Sequence, residues 1–336
     1  MTQTQGQSQA KPIVAVTGAT GFTGSALARR LIGMGYHVRS MTRRPLTEGE
    51  MASGIEWIEG SLTDFDRFAR LVDGAAACFH IAAMYRSEGT QEEFLRANRD
   101  STQVLLMESR KAGVSRFIYC SSIGVHGDVA ETPADENAPL DPRDPYQLSK
   151  LLAEDLCRDE MMRPGMDVVI IRPCAIYGPG DTRMLKMFRM VQQGRFLFIG
   201  RRRPNFHPVY IDDLVDGFLL AMTSEAAPGG TFIIGGKTYL PLRDYVATAA
   251  KVLNVPTPRH TVPYGLVNLA AHGCELLCAP LGIQPPLHRR RLTFFKHNRA
   301  FSIARAEQKL GFAPSVGLEE GFRRTVAWYR NEGMLI

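Results

Sequence analysis

The chain has 336 residues, a length that predicts either one large domain or two closely joined ones. Its 45% of hydrophobic and 22% of charged residues are those of an ordinary soluble globular protein. The net charge of +6 favours anionic ligands, but the basic residues form no stripe interleaved with aromatic ones, so nucleic-acid binding is not predicted.

The N-terminal segment and the cysteines indicate the expected compartment. Residues 1–11 are polar and glutamine-rich and lack an apolar core, which predicts a disordered lead-in rather than a signal peptide. The six cysteines contain no CxxC pair, and several lie in apolar runs, as buried free thiols do in a reducing cytoplasm. The eight histidines have no ligand spacing to cysteines or carboxylates, so no metal site is predicted.

A glycine-rich turn follows the first predicted strand. Residues 13–16 are apolar and β-branched, which predicts a short buried strand, and leucines at helical spacing follow the turn. In such a turn the first glycine allows the tight reversal, the second lets the backbone approach a pyrophosphate, and the third permits close packing of helix on sheet. The N–H groups at the helix start then face the anion. The residues of this predicted dinucleotide cradle are Gly18, Gly21, Phe22, Thr23 and Gly24.

Strand-like and helix-like segments alternate from this turn to about residue 178. The alternation predicts an α/β fold with a Rossmann-type, doubly wound parallel sheet and helices on both of its faces. The later predicted strands are Val38–Met41, Ile55–Ile58, Ala76–Ile81, Phe117–Ser121, Val168–Arg172 and Thr231–Ile234. The predicted helices are Phe65–Val72, Glu92–Ala112, Tyr146–Met162, Met184–Gln193 and Ile211–Met222.

Beyond residue 178 the alternation breaks into Pro- and Gly-rich connections. We therefore predict a Rossmann domain over 12–178 plus about 209–235, and a smaller, discontinuous α/β substrate-binding domain over about 179–208 plus 236–330. The apolar stretch Tyr264–Ala279 is too short and too often interrupted by polar residues to span a bilayer, so no integral membrane span is expected. We interpret it as a core helix; an interfacial helix with a loose membrane contact stays open.

Tyr146 and Lys150 are four residues apart, which places both side chains on one face of a helix. An unperturbed phenol titrates near about pH 10, and a lysine cation and an oxidised nicotinamide ring would lower that pKa. Tyr146 could then exchange a proton with a substrate hydroxyl during hydride transfer. Ser122 follows a predicted strand at the end where doubly wound sheets bind ligands, so its hydroxyl could polarise the substrate oxygen. A solvated Tyr–Lys pair and a turn-forming serine are the structural alternatives.

Together these motifs resemble the extended short-chain dehydrogenase/reductase family, whose sequence class is also called NAD-dependent epimerase/dehydratase. The matching segments are residues 17–24, 79–83, 121–127, 146–150, 172–181 and 208–213. The C-terminal part, with residues 287–291, 298–303 and 309–312, is similar to 3β-hydroxysteroid dehydrogenases and dihydroflavonol reductases. The resemblance covers nearly the whole chain.

The resemblance implies roles for individual residues. Tyr146 would be the acid/base, Lys150 its partner, and Ser122 the hydroxyl that binds the substrate oxygen. Asn98 would brace the active-site sheet. The remaining implied cofactor contacts are Ala82 and Ala83 on the adenosine side, Leu62 after the third strand, and Pro173 and Ile176 beside the nicotinamide.

Two positions depart from the family pattern. Ser61 stands where many relatives have an aspartate, which puts the adenine hydrogen bond in doubt. His126 stands where relatives have a tyrosine, either as a structural replacement or as a new acid/base group.

Arg43 and Arg44 follow the strand at which NAD-preferring relatives carry an acid for the ribose hydroxyls. A carboxylate there would repel a 2′-phosphate, whereas an arginine can pair with it. NADP(H) is therefore the expected cofactor, with NAD(H) as the alternative. Two solvated surface charges are the structural interpretation.

Two hypotheses describe the small-molecule substrate. The first is an NAD(P)-dependent oxidoreductase that transfers a hydride at a secondary alcohol or ketone and exchanges its cofactor with solvent. The second is a nucleotide-sugar epimerase or dehydratase that keeps and recycles bound NAD(P). Such epimerases place an arginine where this chain has Phe206, although the run 201–203 could supply charge. A redox-sensing binding module is disfavoured because Ser122, Tyr146 and Lys150 are all present.

A homodimer is the expected assembly. Leucines on the helices over 92–112 and 146–162 extend beyond one face, and relatives pair these helices across a two-fold axis. The leucines concerned are Leu105, Leu106, Leu152 and Leu156.

Overall fold

The computed structural model describes residues 11–85, 89–278, 292 and 295–336. The predicted lead-in therefore lies outside the described residues except for Lys11, and so does the segment 287–291.

The strands and helices are numbered in chain order. The strands are β1 (Ile13–Thr17), β2 (His37–Thr42), β3 (Glu56–Glu59), β4 (Ala75–His80), β5 (Arg116–Cys120), β6 (Asp167–Pro173), β7 (Ala175–Tyr177), β8 (Phe198–Ile199), β9 (Asn205–Phe206), β10 (Pro208–Tyr210), β11 (Thr231–Ile234), β12 (Leu240–Pro241) and β13 (Thr261–Val262). The α-helices are α1 (Phe22–Gly33), α2 (Glu48–Met51), α3 (Phe68–Val72), α4 (Gln91–Phe94), α5 (Ser101–Lys111), α6 (Pro145–Met161), α7 (Leu185–Gln192), α8 (Ile211–Thr223), α9 (Leu242–Leu253), α10 (Tyr264–Cys278), α11 (Ala304–Leu310) and α12 (Leu318–Asn331). A π-helical turn, Leu95–Asp100, joins α4 to α5.

The seven-stranded sheet has the strand order β11-β6-β5-β4-β1-β2-β3. The β1–β2, β2–β3, β1–β4, β4–β5 and β5–β6 pairs are all parallel. The predicted Rossmann-type α/β fold is confirmed. The order reverses between β1 and β4, and ligands of doubly wound sheets bind beyond the carboxyl ends of the strands at such a point. The segments after β1 and β4 are therefore those in position to form a site.

The contacts between Cα atoms divide the chain into two compact units. The first comprises 1–125, 142–172 and 215–232, and the second comprises 126–141, 173–214 and 233–336. The predicted domain boundaries differ chiefly at 126–141, which the sequence had placed in the Rossmann domain. This segment belongs to the second unit because it bonds to the C-terminal part: the N–H of Asn298 donates to the carboxylate of Asp128 at 2.7 Å, and the backbone of Ala134 bridges to Phe301.

The core of the first unit lies between the sheet and the helices α3, α5 and α6. Phe117 and Tyr119 project from β5 into it, and Ala153 and Cys157 of α6 pack there as well. Leu105 and Leu106 are also part of this core and are at most 5% exposed. The expectation that these two leucines face a partner helix is therefore wrong, since the unit's own core already buries them.

The second unit contains three short strand pairs and several helices. β7 pairs with β10 and β8 with β13, both in parallel, and β9 pairs with β12 in the antiparallel sense. Helix α9 buries six of its twelve residues, from Leu242 to Leu253.

Helix α10 differs from its prediction. The sequence indicated a core helix, and the helix forms, but only Ala271 among its residues is buried. Its leucines at 266, 269, 276 and 277 are 62–74% exposed. Their spacings of three, seven and eleven residues place them on one side of the helix. The two partly buried cysteines, Cys274 and Cys278, also lie on α10, whereas the other four cysteines are buried. Among the described residues no helix is long and apolar enough to cross a bilayer.

Candidate active site

The turn between β1 and α1 has the close packing that the glycine spacing predicts. Gly18 has a φ of +79°, and a Cβ at this position would lie 3.0–3.1 Å from atoms of Ala82. A Cβ at Gly24 would overlap the carbonyl oxygen of Gly18. Side chains at these two positions would therefore disrupt the turn.

The N-terminus of α1 fits an anion. Gly21 is the N-cap and has no side chain to satisfy the first amides, and the first turn contains no acidic residue. Phe22 and Thr23 are the first two residues of the helix. Unsatisfied N–H groups and the positive end of the helix dipole favour phosphate at such a terminus. The residues of this turn fit the pyrophosphate of a dinucleotide.

The two arginines after β2 have different surroundings. The guanidinium of Arg44 binds both carboxylate oxygens of Glu50, at 2.9 and 2.6 Å, and donates to the carbonyl of Pro45 at 2.9 Å. The side-chain hydrogen bond from Arg44 is the main cause that lowers the pKa of Glu50 to about 2. Arg43 is exposed and forms no hydrogen bond or ion pair with the part of the chain that the structure describes. Only Arg43 is therefore left to bind an external anion.

The loop after β3 contains Ser61 and Leu62, both partly buried. The backbone N–H of Ser61 donates to the carboxylate of Asp64 at 2.7 Å. The carboxylate that the family pattern places at 61 is absent, and the nearby Asp64 serves the loop's own backbone.

Helix α6 brings together the residues predicted to be catalytic. Asp144 caps the helix by accepting the N–H of Gln147 at 2.9 Å, and Pro145 occupies the first turn, where its fixed φ suits a helix start. Tyr146 and Lys150 follow one turn apart on the same face. Ser122, after β5, lies near the Tyr146 phenol and lowers its pKa, and its hydroxyl oxygen accepts the N–H of Gly124 at 3.0 Å.

Burial dominates the electrostatics of this pair. It raises the pKa of Tyr146, and the nearby Cys120, Tyr85 and Asp144 raise it further, whereas the hydrogen bond from Ser122 lowers it. Burial likewise lowers the pKa of Lys150, against the opposing effects of Cys120, Cys157 and Glu154. The Lys150 ammonium lies 4.3 Å from the ring centroid of Tyr119, a cation–π contact. That Lys150 stabilises a Tyr146 phenolate stays a prediction.

A second tyrosine that sequence reasoning missed lies against the predicted acid/base. The rings of Tyr85 and Tyr146 have centroids 4.8 Å apart and planes inclined at 64°. Tyr85 is 40% exposed and comes two residues after Ala83. The only sequence signal was its place directly beyond the family-like segment 79–83.

Asn98 joins the segment after β4 to helix α6. Its side-chain oxygen accepts the N–H of Met84 at 2.7 Å, and its side-chain nitrogen donates to the carbonyl of Met84 at 3.1 Å and to the hydroxyl of Ser149 at 2.9 Å. The π-helical turn contains Asn98, and such turns are frequent at functional sites. Ala82 and Ala83 lie in the same segment after β4, and the N–H of Ala82 donates to Thr17 at 3.0 Å.

A buried ion pair, also missed from the sequence, lies one turn beyond Lys150. The guanidinium of Arg172 donates to both carboxylate oxygens of Glu154, at 2.9 and 2.6 Å. Glu154 has an exposed side-chain fraction of 0% and Arg172 of 2%. The signal for this pair was the repeat of polar residues at 146, 150 and 154 on one helix face.

Four other residues singled out from the sequence belong to the second unit. Pro173 is the last residue of β6, and Ile176 is the middle residue of β7. Phe206 is buried in β9. His126 is buried, its Nδ1 donates to the carbonyl of Pro139 at 3.2 Å, and its ring contacts Phe301 at 5.4 Å. These contacts favour the structural interpretation of His126 over an acid/base role.

The model of the NAD dependent epimerase/dehydratase family matches residues 14–235, about two thirds of the chain. The chain belongs to this family. The match covers the glycine turn, Ser122, Tyr146 and Lys150, so the family resemblance predicted from the motifs is confirmed.

Relatives and solved structures agree with the family. A 3 beta-hydroxysteroid dehydrogenase/Delta 5-->4-isomerase of Mycobacterium tuberculosis is 30% identical over 336 residues, with 94% of this chain and 90% of the relative covered. The crystal structure of gox2253 is 29% identical, covers 97% of this chain and 100% of that one, and has a TM-score of 0.80. The structure of DesIV, a dTDP-glucose 4,6-dehydratase from Streptomyces venezuelae with NAD and TYD bound, is 25% identical, covers 96% and 98%, and has a TM-score of 0.76. The expected likeness to 3β-hydroxysteroid dehydrogenases is thus confirmed.

Proposed function

We propose that this family member is an NAD(P)-dependent oxidoreductase that acts on a secondary alcohol or ketone, with Tyr146 as the acid/base. One observation carries the proposal: Tyr146 lies one helical turn from the buried Lys150 and near Ser122, which lowers the pKa of its phenol. All three belong to the unit that also contains the glycine turn. The similarity to a 3 beta-hydroxysteroid dehydrogenase supports the substrate class.

A bound nicotinamide would accept or supply the hydride. The chain's own part is to hold the substrate oxygen and move the proton. Burial keeps the Tyr146 phenol protonated, which is the state needed to donate to the oxygen of a ketone. Ser122 would hold that oxygen beside the phenol, and the positive charge of Lys150 would favour the phenolate that remains after donation.

The cofactor contacts follow from the same proposal. Gly18, Gly21 and Gly24, with the amides of Phe22 and Thr23, would hold the pyrophosphate. Arg43 would bind the 2′-phosphate of NADP(H), and use of NAD(H) is the alternative. Contacts from Leu62, Ala82 and Ala83 to the adenosine, and from Pro173 and Ile176 to the nicotinamide, stay predictions from the family resemblance.

Replacing Tyr146 by phenylalanine tests the assignment. We expect the Tyr146→Phe variant to lose about 10²- to 10⁴-fold in kcat for ketone reduction, because the ring remains but its proton does not. Its affinity for NADPH, measured by fluorescence titration, should be retained. Tyr36→Phe, which removes a phenol in the loop after α1, is the matched control. Unchanged turnover in Tyr146→Phe would contradict the enzymatic role and revive the redox-sensing module.

The second candidate is a nucleotide-sugar epimerase or dehydratase with tightly bound, recycled NAD(P). The similarity to DesIV favours it, whereas the buried Phe206, at the position of the expected arginine, does not. Heating the purified protein and identifying any released dinucleotide separates the two. A retained dinucleotide and turnover without added cofactor would favour the second candidate.

A homodimer remains part of the proposal, carried by the family resemblance now that Leu105 and Leu106 are accounted for by the core. Light scattering at working concentration tests it, and a monomer mass would contradict it.

A further inference from the structure

A chain of buried hydrogen bonds begins at Thr17, the last residue of β1. Its hydroxyl oxygen accepts the backbone N–H groups of Ile81 and Ala82, each at 3.0 Å. These two bonds use both lone pairs of the oxygen, so the hydroxyl proton is left to donate. The available acceptor is Nδ1 of His80, at 2.9 Å. Thr17 therefore donates to His80.

This direction fixes the proton on the other ring nitrogen of His80. A neutral imidazole that accepts at Nδ1 carries its proton on Nε2. Nε2 lies 3.1 Å from the hydroxyl oxygen of Thr102, which in turn donates to the carbonyl of Asn98 at 2.6 Å. The bonds thus run in one direction from the amide of Ala82 to the carbonyl of Asn98. We call this series the His80 relay; its side chains are Thr17, His80 and Thr102.

One end of the His80 relay lies at the glycine turn, and the other lies at Asn98, which is bonded to helix α6. At one end, Thr17 directly precedes Gly18, which contacts Ala82. At the other end, the side chain of Asn98 donates to Ser149, and the Ser149 hydroxyl donates to the carbonyl of Tyr146 at 2.8 Å. Each relay side chain is at most 1% exposed. The relay, continued through the side chains of Asn98 and Ser149, thus connects the residue before the glycine turn to the first turn of α6.

We propose that His80 is a positioning residue that, as its Nε2–H tautomer, fixes the glycine turn and the segment after β4 relative to Tyr146. The proposal rests on the proposed function. Its physical basis is that a buried network with all its members satisfied is rigid, whereas one with an unmatched donor or acceptor is costly.

The surroundings of His80 keep the ring neutral. Burial, with a smaller effect from the positive charge of Lys150 on α6, lowers its pKa to about 3. The other groups against the ring are Phe117 and Tyr119 of β5, with centroids at 6.3 and 5.8 Å, and neither is a carboxylate that would favour protonation. A proton on Nδ1 would face the Thr17 proton and break the relay, so the neutral ring preserves its direction across neutral pH.

The tautomer can be read directly from the intact wild-type protein. Long-range ¹H–¹⁵N correlation of histidine-labelled protein should show His80, assigned by its loss in a His80→Gln variant, with the proton on Nε2 and no titration between pH 8 and 5. An Nδ1–H pattern, or titration near the ordinary histidine pKa of about 6.5, would overturn the proposal.

Two amide variants separate the ends of the relay. The shorter side chain of His80→Asn places its amide oxygen near the position of Nδ1, where it can accept from Thr17. It is too short to reach Thr102, so the bond to Thr102 is lost. We expect it to keep NADPH affinity and to lose about tenfold in kcat. The longer side chain of His80→Gln reaches Thr102 and leaves Thr17 without an acceptor. We expect it to weaken NADPH binding about tenfold. His37→Gln, on the partly exposed start of β2, is the control.

If both variants shift Tm equally and leave NADPH affinity and kcat unchanged, His80 is only a core residue and the proposal is wrong. A wild-type protein that binds no dinucleotide would instead sink the proposed function, while the tautomer measurement would still stand by itself.

Discussion

Helices α6 and α10 reverse the usual relation between polarity and burial. Helix α6 buries three charged side chains, Lys150, Glu154 and Glu160, while α10 exposes four leucines by 62–74%. On α6 each buried charge has a partner: the Tyr119 ring for Lys150, Arg172 for Glu154, and Arg110 for Glu160. The difference teaches that the available partner, more than the residue type, decides what a helix buries. Groups whose partner is not within the chain then point to a ligand or a surface.

The loop after β2 shows the same contrast between two adjacent arginines. Arg44 is held by Glu50 through two hydrogen bonds, whereas Arg43 projects into solvent. A count of basic residues does not distinguish the two arginines. Their surroundings do distinguish them, and only Arg43 has a guanidinium that is free to bind an anionic ligand.

The largest expected effect is the loss of the buried carboxylate on α6. Glu154→Gln leaves the Arg172 guanidinium buried without its counter-charge, and breaking such a pair costs about 3–5 kcal/mol of unfolding free energy. Urea denaturation measures the cost. The Glu154→Gln/Arg172→Met double variant should recover most of it, because no unpaired charge remains.

Asp155→Asn is the matched control for this prediction. Asp155 binds Arg158 at 2.5 Å on the same helix, but its side chain is 54% exposed, so its loss should cost less than about 1 kcal/mol. Equal costs for the two variants would show that burial adds nothing to the pairing on α6.

The same carboxylate predicts a pH dependence. Burial disfavours ionised Glu154, but the hydrogen bonds and charge of Arg172, with smaller effects from Ser121 and Arg158, outweigh it and lower the pKa of Glu154 from 4.5. A group with a lowered folded-state pKa stabilises the fold above its ordinary pKa and loses that effect as the pH falls through the folded value. The wild type should therefore lose stability on the acid side more steeply than Glu154→Gln. Parallel stability–pH curves would contradict the lowered pKa.

An intermediate effect is expected from Arg43. Arg43→Ala should weaken NADPH binding by about 10- to 100-fold and leave NADH binding unchanged, because a charge-assisted hydrogen bond to the 2′-phosphate is lost. Arg44→Ala should weaken NADPH binding less, because Arg44 in the wild type already binds Glu50. Fluorescence titration with both cofactors measures this. A larger loss in Arg44→Ala would reverse the assignment.

The smallest effect on stability is expected from α10. The Leu269→Ser/Leu276→Ser variant should change the unfolding free energy by less than about 0.5 kcal/mol per site, since both leucines are already exposed. If the leucine side of α10 makes the loose membrane contact that the sequence left open, the variant should lose co-sedimentation with phosphatidylglycerol vesicles. The exposed Arg201 and Arg202 follow Gly200, which lies against Tyr264 at the start of α10, so binding should also weaken with salt.

Met162→Ser, which changes one exposed apolar residue after α6, is the control for the vesicle experiment. Equal sedimentation of the α10 variant and the wild type would exclude the membrane contact. If the protein binds pure phosphatidylcholine vesicles as strongly as phosphatidylglycerol vesicles, Arg201 and Arg202 do not contribute to membrane binding through their charge.

The elements of the seven-stranded sheet could be predicted because their signals are local. The apolar run before Gly18 gave β1 to within one residue, and β11 was predicted with the bounds that it has. Tyr146 and Lys150 were also found locally, from a spacing of four residues on one helix.

What sequence reasoning missed depends on contacts between distant residues. Glu154 meets Arg172 across eighteen residues, and His80 meets Thr17 across 63. The π-helical turn at Asn98 has no signature of its own, since bonds to Met84 and Ser149 hold that side chain. The exposure of α10 was missed because apolar content predicts a helix but not what packs against it.

The distribution of thiols makes α10 chemically addressable. Burial raises the pKa of Cys78 to about 12 and that of Cys120 to about 11, and Cys157 and Cys174 are equally enclosed. Thiolates are the reactive form, so alkylating dyes should leave these four untouched in the folded protein. Cys274 on α10 is only partly buried and would take the label without prior removal of any native cysteine, whereas burial and the neighbouring Cys274 raise the pKa of Cys278 and slow its labelling. The wild-type chain thus has a built-in attachment point for a fluorophore on the helix that carries the exposed leucines.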